Sequence, residues 1–124
     1  MDNHLEILPN WLLEMGYSAT NIGLSGIGFD YKCLPSVLKC LSRNNIAILG
    51  GDVLYIEYDG LRMNEGAENW YTDILHEEQY SVFIKRSFIN TIKYVRQNKY
   101  RNVVYIMTVV NEKEFDNLYK VMEK

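Results

Sequence analysis

Hydrolysis and group transfer need a nucleophile with a base beside it, and His4 and His76 are the only histidines this chain can offer for that work. Both read as solvated side chains, His4 near the start of the sequence and His76 in a polar segment. Ser25 lies in Gly23-Leu24-Ser25-Gly26-Ile27-Gly28, yet these glycines do not frame it as a nucleophile elbow. Nor do they take the dinucleotide spacing or precede the lysine of a phosphate loop. They read as turn residues.

Carboxylates and thiols give no clearer constellation. Asp52, Glu57 and Asp59 could approach a divalent cation, but residues on strands point to alternate faces and no calcium-loop spacing is present. Cys33 and Cys40 lie seven residues apart on one expected helix, which puts their Cα atoms about 10 Å from each other. That is too far for a disulfide, and neither cysteine has a second ligand pair at zinc spacing. Two reduced thiols, no metal, no cofactor and no enzymatic activity are the expectation.

The elements that would position these residues follow from periodicity. Leu5, Leu8, Leu12 and Met15 take a helical spacing interrupted at Pro9, with Gly16 as a stop. Tyr17 to Phe29 reads as a short irregular strand with a turn. Asp30 is the expected N-cap of a helix carrying Leu34, Val37, Leu38 and Leu41. Ile46 to Leu49 is a short apolar strand that meets Gly50-Gly51-Asp52, read as a turn because paired glycines reach backbone angles closed to other residues. Val53 to Tyr58 alternates toward a hairpin signal at Asp59-Gly60. Leu61 to Met63 would pair back, and Asn69-Trp70-Tyr71 is a short strand or an ordered loop.

A long helix is expected from about Glu77 to Asn98, with Tyr80, Ile84, Phe88, Ile92 and Val95 as its stripe. Val103 to Val110 is nearly all β-branched and belongs at the centre of a sheet. A last helix opens with Asn111 and Glu114 as a capping box and buries Phe115, Leu118, Tyr119 and Met122. The fold class is therefore α+β: a mixed β-sheet with about four helices packed on it, one domain over residues 1–124.

A chain of 124 residues that is 48% hydrophobic and 23% charged has the balance of a globular domain. No apolar run approaches the roughly 20 residues that cross a bilayer, and the acidic start lacks the basic flank of a secretory leader. A cytoplasmic protein is expected. Charge is unevenly placed along it. Between Asp52 and Glu78 eight acidic residues face one basic residue, Arg62, whereas from Gln79 onward nine Lys or Arg face four Asp or Glu. With Tyr55, Tyr58, Trp70 and Tyr71 inside it, the acidic segment offers both long-range attraction and aromatic anchors to a basic partner.

At Ile46 to Tyr55, and again at Glu68-Asn69-Trp70-Tyr71, the chain resembles the immunity protein 40 family of bacterial polymorphic toxin systems. The resemblance extends from the Leu8-Pro9 region through the helix that contains Lys85-Arg86-Ser87. Where that family carries aspartate before Asn-Trp-Tyr, this chain has Glu68. The resemblance implies a cytoplasmic inhibitor that neutralises a cognate toxin domain by stoichiometric binding. Toxins that act on nucleic acid tend to be basic, so the expected contacts are Asp52, Glu57, Asp59, Glu65, Glu68, Trp70, Tyr71 and Asp73. Neither a membrane nor a nucleic acid is an expected partner. The alternatives are a small enzyme acting on a phosphorylated metabolite and, ranked last, a nucleic-acid-binding module using Lys85, Arg86, Lys93, Arg96, Lys99 and Arg101.

Overall fold

The computed structural model describes residues 4–23, 26–63, 68–99 and 102–122. Pro9 splits the first helical segment as its missing amide requires. A 3-10 turn at His4–Ile7 precedes it and helix α1 (Asn10–Glu14) follows. Then come β1 (Tyr17–Ser18), a 3-10 turn at Thr20–Ile22, β2 (Ile27–Phe29), α2 (Leu34–Arg43), β3 (Ala47–Glu57), β4 (Gly60–Met63), β5 (Asn69–Tyr71), α3 (Tyr80–Gln97), β6 (Val103–Val110) and α4 (Glu112–Met122). This is an α+β architecture with four α-helices among the described residues.

The strands form one sheet in the order β1-β2-β6-β3-β4, with β5 also paired to β3. Each ladder is antiparallel. As its composition implies, β6 lies in the interior of the sheet, between β2 and β3; Thr108 is its one exposed residue. The hairpin also forms, with Glu57 opposite Gly60 and Tyr58-Asp59 as its two loop residues. Gly60 takes a φ of 134° as the first residue of β4, a backbone angle that side-chain-bearing residues rarely adopt.

Gly50-Gly51-Asp52 is not a turn. β3 runs unbroken from Ala47 to Glu57, and its register against β6 slips by one residue between Ile48 and Gly50, leaving Leu49 as a bulge. The bulge resets the alternation, so Ile48 and Val53 enter the same core cluster.

Helix starts are the other correction. Asp30 accepts the Cys33 amide at 3.1 Å, closing a turn, and α2 begins only at Leu34 with Cys33 at the cap position. α3 starts at Tyr80 rather than Glu77, which has a left-handed φ of 58°. The capping box of α4 is present as expected: Asn111 Oδ1 accepts the Glu114 amide and Glu114 Oε1 accepts the Asn111 amide, each at 2.9 Å.

Candidate partner-binding site

Two faces of β3 divide the labour of the molecule. Gly51 stands opposite Trp70 on one side and Met107 on the other, and register partners share a face. That face is the core, where Trp70, Tyr105, Met107, Val53 and Val95 pack with α2 residues Leu34, Val37 and Leu41. Gly50 and Asp52 look the other way, together with their partners Tyr71, Thr108, Asn69 and Ile106.

Both glycines are present for lack of volume rather than for unusual backbone angles. A Cβ on Gly51 would come within 2.8 Å of Trp70 Cζ2. One on Gly50 would press into the Trp70 carbonyl oxygen and stand 3.1 Å from the Tyr71 Cα. β5 is thereby drawn against β3. Pairing continues beyond it, since the Glu68 carbonyl accepts the Val53 amide at 3.0 Å and the Leu49 carbonyl accepts the Thr72 amide at 2.8 Å. From α3, Asn90 Nδ2 donates to Thr72 Oγ1 at 2.6 Å and to the Tyr71 carbonyl at 3.2 Å.

On the outer face, Leu54, Val104 and Ile106 are covered by Ala19 and Ile22 around the second 3-10 turn. Beyond that cover lies a shallow hollow of about 260 Å³, floored by Gly50 and Gly51 and edged by Asp52, Asn69, Tyr71 and Thr108. Among the described residues Asp52 is its only charged lining residue. Tyr71 is 60% exposed beside it. Such a hollow offers a carboxylate, hydroxyl and amide groups, and an aromatic face, which suits recognition of a cationic side chain.

The other expected contacts scatter. Trp70 is 6% exposed, its indole donates to Thr91 Oγ1 at 3.0 Å, and its rings stack on Tyr94 with centroids 4.9 Å apart. Its side chain anchors the core, and Trp70 also lines the hollow. Glu57 and Asp59 sit at the hairpin, five and seven residues beyond Asp52, so at least about 15 Å away along the strand. There Glu57 accepts from Arg62, whose guanidinium also lies over the Tyr55 ring at 5.2 Å. Glu68 is half-buried, Asp73 is exposed, and Glu65 falls outside the described residues, as does Ser25. The structure therefore brings Asp52, Trp70 and Tyr71 together and adds Asn69 and Thr108, which were not among the expected contacts.

Part of the acidic segment's charge is spent internally. The Glu78 carboxylate accepts two bonds from Arg86, at 2.6 and 2.8 Å. That pairing with Arg86 holds the Glu78 carboxyl below its ordinary range and raises Arg86 in turn. His4 is likewise not a solvated residue, because its ring pairs with Glu114 and ties the first turn to α4. Burial, then Asp30, pushes the Cys33 thiol upward and away from its nucleophilic form. No group of His, Cys, Asp and Glu among the described residues could hold a metal ion, and no helix there is long and apolar enough to cross a membrane.

One face of the antiparallel sheet packs against α2 and α3, and the other is covered by Ala19 and Ile22 and, near its Ala47–Val110 end, by Phe115 of α4. The model of the Immunity protein 40 family matches residues 18–111, about three quarters of the sequence, and the chain belongs to that family. The match begins later than the Leu8-Pro9 region and continues through β6, so it spans β3, β5 and the hollow between them. No curated protein and no solved structure matches the chain significantly.

Proposed function

We propose that this protein neutralises a cognate toxin domain in the cytoplasm by binding it stoichiometrically, without catalysis, through the bare sheet face around Asp52 and Tyr71. Membership of the Immunity protein 40 family supports the inhibitor role. The observation that carries the choice of surface is the glycine-floored hollow, where one carboxylate and one exposed tyrosine flank a cavity large enough for a lysine or arginine side chain. A partner with a basic surface fits that hollow, and a desolvated cation–carboxylate contact ringed by an aromatic is the usual make-up of an affinity hot spot.

The test is co-expression with a candidate toxin domain from a neighbouring gene, followed by size-exclusion chromatography and a growth assay. A one-to-one complex and rescued growth are expected. Asp52→Lys should slow association by about tenfold at low salt and less at high salt, because steering by charge is screened. Failure to form a complex with any neighbouring toxin domain overturns the inhibitor reading. A normal complex with an unaltered association rate in Asp52→Lys removes only this face.

A further inference from the structure

On the opposite side of the molecule the charge reverses. No Asp or Glu occurs from Tyr31 to Gly51 or from Gln79 to Lys99, whereas Lys32, Lys39, Arg43, Lys85, Arg86, Lys93, Arg96 and Lys99 all do. These stretches contain α2 and α3, which bound a trough. One part, of about 250 Å³, lies between Tyr31, Leu34, Pro35 and Leu38 on the α2 side and Ile92, Val95 and Arg96 on α3. A second part, of about 490 Å³, runs along α3 past Ile89, Lys93 and Gln97 and shares Ile92 and Arg96 with the first.

The trough is apolar where it is deep and cationic where it opens. Ile89 is 67% exposed and Ile92 38%, one turn apart on α3. Lys93 and Arg96 flank them, and the Lys99 ammonium stands 4.2 Å from the Tyr31 ring centroid at the far end. No carboxylate among the described residues lines either part. Aliphatic side chains left in water at helical spacing beside unneutralised cations fit an amphipathic segment that is apolar on one side and acidic on its flanks.

We infer that the α2–α3 trough is a second docking surface, whose occupant is an acidic amphipathic segment of another protein. A nucleic acid would engage the cations but leave Ile89 and Ile92 bare, because phosphate contacts do not desolvate an aliphatic floor. A second copy would have to set one of its acidic surfaces into this trough, a head-to-tail contact that gives rings or filaments rather than a two-fold dimer.

The probe is a synthetic helical peptide with leucine at i, i+3, i+4 and i+7 and glutamate elsewhere, labelled for fluorescence anisotropy. It should bind the intact chain at least about tenfold more tightly than a twin with lysine for glutamate. Ile92→Asp and Arg96→Glu should each weaken it about tenfold. Both positions are solvent-facing, so thermal melts should match the parent; should either variant unfold, Lys93→Glu on the same rim carries the test. Equal binding of the two peptides, or no binding of the acidic one, overturns the proposal. So does tighter binding of a single-stranded oligonucleotide, or concentration-dependent self-association that Ile92→Asp abolishes. No toxin enters this experiment, so its outcome is separate from that of the inhibitor assay.

Discussion

Trp70 and Tyr71 are neighbours in sequence and carry similar chemistry, yet the strand they share sends them to opposite fates. Trp70 enters the core, hydrogen-bonded to Thr91 and stacked on Tyr94. Tyr71 stands over the hollow in solvent. An aromatic pair on a strand is thus one structural residue and one free residue, and only register says which is which. Gly51 sits under the tryptophan and Gly50 beside the tyrosine, so the same glycine pair both seats the core anchor and floors the surface hollow.

The sharpest way to break this comparison is to truncate each member. Trp70→Ala removes a buried indole packed against Tyr94 and Tyr105 and strands the Thr91 hydroxyl. A loss of about 3–5 kcal/mol is expected in urea unfolding. A loss below about 1 kcal/mol would mean that the tryptophan is not a core residue in solution.

Next in size is Tyr80→Phe. The Tyr80 hydroxyl accepts the Ala47 amide at 3.2 Å and lies 3.0 Å from the Val110 carbonyl, joining the start of α3 to the end of the sheet. Burial pushes its pKa up to about 12. Deleting the hydroxyl leaves the Ala47 amide buried without that acceptor, and about 1–3 kcal/mol should be lost in the same unfolding experiment.

How far such roles could be read in the sequence depended on whether local signals agreed with the tertiary ones. The β-branched run at 103–110, the hairpin before Gly60 and the Asn111–Glu114 box were legible because each is decided within a few residues. β3 was not, because a glycine pair signals turning by its freedom of φ, while here the demand is close approach to a strand about twenty residues further on. The stripe of α3 was only half legible. Ser87 and Thr91 are fully buried at its centre, where Ser87 Oγ accepts the Ile48 amide at 3.2 Å, while Ile92 faces solvent. Polarity alone would place those residues the other way round. The acidic segment read as one patch because sequence does not show that Arg86 claims Glu78 or that the hairpin carries Glu57 away from Asp52.

Glu78→Gln tests that division of charge, with an expected cost of about 1–2 kcal/mol at neutral pH, moderated because Arg86 is partly exposed. Glu78 has its folded-state pKa held below the ordinary carboxylate value, so its contribution is complete above about pH 5 and fades as pH falls through the folded value. Parent and variant stabilities should therefore converge on acidification. Glu114 is also lowered: burial raises it, but the Asn111 amide and His4 outweigh that. Both proteins should consequently retain a shared acid loss. A gap that stays constant down to pH 3 would show that the Arg86 pairing is not what holds the carboxylate.

Tyr71→Ser should change stability least, by no more than about 0.5 kcal/mol, since the ring is exposed and only backbone and the neighbouring Thr72 are fastened to α3. Its effect belongs elsewhere. If the bare face meets the toxin, complex dissociation measured by surface plasmon resonance should accelerate by about thirtyfold, the size of an aromatic hot spot. Trp70 is a poorer probe in the same assay, because its truncation weakens the fold that presents the surface. That asymmetry is the useful one: if this face binds, Tyr71, whose removal should cost the fold little, beside Asp52, the one charge among the hollow's described lining residues, can vary while the scaffold stays fixed.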